Sequence, residues 1–371
     1  MFYKAKVNVS HACYVNKETH HHAKDMNIKF KKLLLLSLTL PLPLLAAQPA
    51  TVYGVLDIGV TGGFGSHIAA NPDNPDIRHN WGSGNGTDIR QNYTSRLGFT
   101  ATEDLEGGNN LEIRLEGTLD KNKSFYFDRQ SYIALNGSFG SVRAGRTRDL
   151  INGIASRVDP FTNDGLVQDK ILLAQQAGIG IFRISNSITW VTPTANGFTG
   201  TAQYGFNSTP TGNNAIKLLL TYDDGPFGMH AGIDRPSRSA TTDGSFTLGP
   251  NAHNLILGTF YNFGSFKLAG ELIQGKRDMN AAEVSAILPK EDGNRLGWIT
   301  SLRVPTTNGE IKMVLVKSDM VFNKYGIQQP IREIGFGYEH YLSKQTFLYL
   351  QLGLEQRSNG GHWHSGMLTR F

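Results

Sequence analysis

The chain has 371 residues, of which 39% are hydrophobic, 18% charged and 42 are glycine. Glycine is therefore about 11% against a usual ~7%, while hydrophobic and charged residues fall below soluble-globular norms. A mean hydropathy of −0.28 and a single long apolar run exclude a helical membrane protein, and the composition excludes a compact helical domain.

The apolar run spans Leu33 to Ala47, behind Lys29, Lys31 and Lys32 and ahead of Gln48-Pro49-Ala50. A basic start, a short apolar stretch and small residues at its end read as a cleaved secretory signal peptide over 26–50. Residues 1–25 then form an extension ahead of the leader, consistent with Met26 as the start of the exported chain. Of the 36 basic and 31 acidic residues, seven and two fall in residues 1–50, which leaves 29 of each from Thr51 onward. The barrel segment is thus neutral, so a nucleic-acid partner has no support. Cys13 and His20-His21-His22 also precede the leader, which leaves no cysteine for a disulfide or a thiol site. No metal or cofactor is expected.

From Thr51 the recurrent pattern has period two. Leu111, Ile113, Leu115 and Leu119 alternate with Glu112, Arg114, Glu116 and Asp120. The same alternation runs through 198–206, 331–342 and 347–357. Successive strand side chains point to opposite faces, so each segment has one apolar and one polar face. Short turn-rich connections occur at 105–110, 136–141, 194–197, 223–227, 262–265, 305–310 and 342–346. Longer ones lie between them, including 61–94, 151–185, 235–252 and 276–293. Seven tight turns join fourteen strands, and 51–60 and 363–371 add one at each end, giving sixteen. Tight turns on one side and long loops on the other are the asymmetry of an outer-membrane barrel, and a barrel of this size leaves an aqueous channel. Phe371 ends the chain, and closure requires its strand to pair with the first. Tyr53, Trp190, Phe263, Tyr341 and Trp363 suit interfacial aromatic girdles.

Catalytic signatures are lacking. No Gly-x-Ser-x-Gly elbow and no His-Glu-x-x-His motif occurs, so the chain is not expected to be an enzyme. His362-Trp363-His364 is read as surface or girdle, and Gly62-Gly63-Phe64-Gly65 as an outer loop. A secreted β-sandwich binding module or an adhesin remains the alternative that alternation alone leaves open.

TVYGVLDIGV (51–60), SRLGFTATEDLEGG (95–108), FDRQSYIALNGSFGSVRAGR (127–146) and the closing SGMLTRF resemble the Gram-negative general porins, of beta-proteobacterial and neisserial type. The resemblance implies an all-β fold: a 16-stranded antiparallel transmembrane β-barrel over 51–371, with a constriction loop at about 151–181 folded inward. It further implies a homotrimer in outer-membrane lipid, passing small hydrophilic solutes and ions by passive diffusion. The family sets acids on that loop against a ladder of arginines on the wall. The loop offers Asp159, Asp164 and Asp169. Motif position carries over Arg96, Arg129 and Arg183, and strand alternation adds Arg114 and Arg143. Opposed charged rows in a narrow cleft make a transverse field that orients dipolar solutes and biases ions.

Overall fold

A computed structural model describes residues 50–64, 87–119, 124–162, 183–206, 214–235, 253–277, 293–322, 327–355 and 360–371. All of these belong to the compact unit Gln48–Phe371. Their strands are β1 (Thr51–Phe64), β2 (Thr87–Arg90), β3 (Arg96–Asp104), β4 (Asn110–Thr118), β5 (Gln130–Gly137), β6 (Gly140–Arg148), β7 (Arg183–Val191) and β8 (Phe198–Gly205). The second half holds β9 (Ala215–Asp224), β10 (Phe227–Arg235), β11 (His253–Asn262), β12 (Lys267–Arg277), β13 (Gly293–Thr306), β14 (Gly309–Phe322), β15 (Ile327–Tyr341), β16 (Thr346–Glu355) and β17 (Gly360–Arg370). One six-residue helix, α1 (Leu150–Ala155), follows β6.

Apart from β2 and β3, neighbours in sequence pair antiparallel all the way round, and β17 returns to β1 in register from Val55↔Arg370 to Phe64↔Gly361. Closure leaves no sheet edge, the condition for a β structure to cross lipid. It also removes the β-sandwich alternative, which needs two separate sheets. The strand count agrees with the sequence once β2 and β3 are seen to share one stave. β2 pairs with β1 at Gly59–Gly62 and β3 with β1 at Thr51–Val55, so seventeen segments make sixteen staves.

Local chemistry accounts for the tight end. Asn196 and Gly197 adopt φ of 50° and 82°, and Ala195 and Phe198 exchange both backbone hydrogen bonds at 2.9 Å. Positive φ at both central residues defines the two-residue hairpin whose twist matches the flanking strands, and Asn-Gly meets it with little strain. Gly62, Gly63 and Phe64 extend β1 rather than forming an outer loop; Gly65 lies outside the described residues.

Alternation sorts the side chains into two faces. Leu56, Ile58, Ile133, Leu218, Leu255, Leu272, Leu296 and Leu350 are among the exposed large apolar residues on the outer face. Residues of the opposite parity, joined in register from strand to strand, form the inner face: Asp57, Glu116, Gln203, Lys217, Glu271, Lys312 and Gln351 are buried there. In a soluble protein this partition would be inverted. Here the exposed leucines form an apolar outer belt and the polar groups face the interior, the partition of a transmembrane β-barrel.

Candidate functional site: the lumen wall

Alternation on β4 turns Glu112, Arg114 and Glu116 to one side, and the register aligns Tyr53, Gly98, Glu116 and Gln130 across β1, β3, β4 and β5. Glu116 is the hub. Its Oε1 lies 2.7 Å from Arg129 Nε, and its Oε2 accepts from the Tyr53 hydroxyl at 2.9 Å and lies 4.0 Å from Arg96 Nε. Tyr53 therefore belongs to the lumen cluster, not to an aromatic girdle. One register row away, Arg114 Nε sits 3.3 Å from Glu112. The guanidinium carbons of Arg114 and Arg143 lie 6.0 and 5.8 Å from the Tyr132 ring centroid, within cation–π range. Arg183, in register with Arg148, completes the patch among Arg129, Arg146 and Glu116. The five arginines singled out from sequence thus share one arc of wall, β3 to β7. Arg96 and Arg114 keep 27% and 35% of their side-chain surface exposed.

The acids are arranged differently. Asp159 is 1% exposed, and its Oδ1 accepts from the Phe161 N–H at 2.8 Å, so its carboxyl caps a turn of its own segment. Asp164 and Asp169 lie outside the described residues. The carboxylates observed beside the arginines are Glu112 and Glu116 on the wall itself, which the β4 alternation had already turned to that face, and Asp128 beside Arg146.

Segment 149–162 packs on residues of β11 to β14. Ile151, Ala155 and Phe161 form one apolar cluster with Ile256, Ile273, Ile299, Val314 and Val316. Each buried Ile, Val or Phe side chain among them contributes roughly 1.5–3 kcal/mol. Polar ties fix both ends. Asp149 pairs with Lys217 at 2.6 Å, and Arg157 forks Asp223 at 2.6 and 3.0 Å. Ser301 Oγ donates to the Val158 carbonyl. The Asp-Leu-Ile opening of α1 was the available sequence signal for Asp149 as a helix cap. Its partner Lys217 on β9, and Asp234 on β10, the second acid that Lys217 meets, had no local signal.

Phe371 continues the closing ladder by one residue. Its N–H and C=O bond to Gly54 at 3.2 and 3.0 Å, and a Cβ on Gly54 would meet the Phe371 ring. His364 is fully buried on the inner face, not a surface or girdle residue as its neighbourhood had suggested, because its register partner is Gln351.

A family model described as Gram-negative porin matches residues 35–360. The chain belongs to the Gram-negative porin family. Outer membrane porin protein 32 of Delftia acidovorans is 29% identical over 322 residues, covering 82% of this chain and 83% of that protein. Major outer membrane protein P.IB of Neisseria lactamica is 26% identical over 209 residues, 54% of this chain and 58% of that one. Among solved structures, the anion-selective porin from Comamonas acidovorans superposes with a TM-score of 0.68 at 25% identity, covering 87% of this chain and 99% of that chain. With the closed barrel and its inverted polarity, these likenesses make the protein an outer-membrane porin, a channel for small hydrophilic solutes and ions. The wall of this porin supplies width and field.

Proposed function

We propose that this porin favours small anions over cations. The observation that carries this is the composition of the arc of wall: Arg96, Arg114, Arg129, Arg143, Arg146, Arg148 and Arg183 against Glu112, Glu116 and Asp128. Guanidinium groups keep their charge at every working pH, so the excess is permanent. A low-dielectric cleft lined by one sign of charge concentrates the opposite ion. The likeness to a structure titled as an anion-selective porin supports the same sign.

In this reading the segment beginning at Asp149 is the start of the constriction loop, which narrows the channel toward the arginine wall. The burial of Ile151 and Phe161 against wall residues supports it. The family resemblance supports a homotrimer and removal of residues 26–50 on export. The same resemblance supports a channel without catalytic activity. The test is a reversal potential across a planar bilayer holding the purified protein in a KCl gradient. The expected sign is that of chloride preference; a potassium-selective or unselective pore contradicts the proposal.

A further inference from the structure

The stave shared by β2 and β3 is interrupted. Between the pairs Gly59↔Arg90 and Val55↔Arg96, β1 contributes three residues, Leu56 to Ile58, whereas the other strand contributes five, Gln91 to Ser95. The two-residue excess leaves the ladder toward the lumen. Asp57 stands in for the missing ladder partners. Its Oδ2 accepts the N–H groups of Asn92 and Tyr93 at 2.5 and 2.6 Å, and its Oδ1 accepts the Tyr349 hydroxyl at 2.7 Å. Its own N–H donates to Ser95 Oγ at 2.9 Å. Two consecutive N–H groups on one carboxylate oxygen are charge-assisted bonds, about twice the strength of neutral ones.

So anchored, the bulge lies over the inner wall. The Tyr93 ring stands edge-on to Phe347 and Tyr349, with centroids 6.1 and 5.5 Å away. Its hydroxyl donates to Glu339 Oε1 at 3.0 Å and accepts from Gln351 Nε2 at 2.7 Å, while Asn92 Nδ2 donates to Gln351 Oε1 at 3.0 Å. The same patch receives the far end of segment 149–162. Lys312, bonded to that Glu339 oxygen, has its ammonium 5.9 Å from the Phe161 ring, and a Cβ on Gly337 would meet both Phe161 and Gln351. Bulge and loop therefore abut. Among the described residues, both pack on inner-wall strands outside the arginine arc: segment 149–162 on β9 and β11 to β14, the bulge on β1, β15 and β16.

We propose that Gln91–Ser95 is a second pore-narrowing element, held by Asp57, and that Tyr93 helps set the size limit of the channel. The water path then runs off-axis, between this interior layer and the arginines. This rests on the chain forming a channel, which the unaltered protein reports in the same assay.

The experiment compares three variants for single-channel conductance in KCl and for the largest neutral sugar admitted to proteoliposomes. Deleting Asn92 and Tyr93 restores a three-against-three stave and should raise conductance about 1.5-fold or more and admit larger sugars. Tyr93→Leu keeps apolar contact with Phe347 and Tyr349, so it folds even where the deletion does not, and should shift both readings the same way by less. Tyr93→Trp should shift both downward. If the folded variants conduct and sieve as the unaltered channel does, differing only in heat resistance, the bulge is merely structural and the proposal is overturned.

Discussion

Asp149 uses its two carboxylate oxygens for two tasks, and Lys217 receives the second. Oδ1 caps α1 by accepting the N–H groups of Ile151 and Asn152 at 2.9 and 3.1 Å, while Oδ2 meets Lys217 Nζ at 2.6 Å. Lys217 also meets Asp234 at 2.7 Å, and none of the three side chains is more than 4% exposed. One ammonium thus holds the start of α1 to the wall between two acids.

Lys217→Met leaves Asp149 and Asp234 buried without their cation. Breaking a buried ion pair costs about 3–5 kcal/mol. The folded band on unheated gels should vanish at a lower temperature, and open-channel current should become noisier as the loop root loosens. Asp149→Asn, which keeps a capping oxygen, should cost less. Equal heat resistance of Lys217→Met and the unaltered protein contradicts the role of the pair.

Arg129→Ser removes the guanidinium at 2.7 Å from Glu116, leaving that carboxylate the Arg96 contact at 4.0 Å, the Tyr53 hydroxyl and the neighbouring Arg183. The reversal potential in a KCl gradient should move toward potassium. Arg96→Ser should move it the same way, and Glu116→Gln the opposite way. Three unchanged potentials would show that this cluster lies off the ion path.

Removing Phe371 deletes the last pair of the closing ladder, both bonds to Gly54, and the ring over that glycine. Refolding yield in detergent, read as the fraction of heat-shifted band, should fall well below that of the full chain, and Phe371→Tyr should restore it. Gly54→Val should mimic the loss, because its side chain occupies the space of the ring.

Much of this was legible in the chain because a strand writes its two faces at period two. Leu111 to Glu116 shows both faces of β4, and Asn196-Gly197 signals a hairpin without reference to anything distant. What escaped depends on partners far away in sequence. Nothing local to Gln91-Asn92-Tyr93 marks an inward bulge, because the group that holds it is Asp57, 35 residues earlier, with Gln351 and Glu339 across the barrel. Likewise Asp159 has the composition of a pore-facing acid yet folds back on Phe161. Arg146 falls beside a register shift between Gly145 and Thr147, so simple alternation from Val142 does not fix its direction.

The outer face makes a separate prediction. Leu272, in the middle of β12, is 56% exposed among apolar neighbours. Leu272→Arg should destabilise the barrel in lipid by about 2–4 kcal/mol, as a charge near the bilayer midplane does. Arginine at inward-facing Asn136 should leave stability nearly unchanged and alter selectivity instead. The comparison is made by urea titration in vesicles; equal tolerance of both would contradict the assignment of faces.

The most direct measurement is current through a planar lipid film exposed to the detergent-purified protein. An exterior of leucines around a hydrated, arginine-lined interior predicts discrete upward conductance steps that persist at constant voltage. A film that keeps its resistance while folded barrel is present in the bilayer would contradict the existence of an open water path.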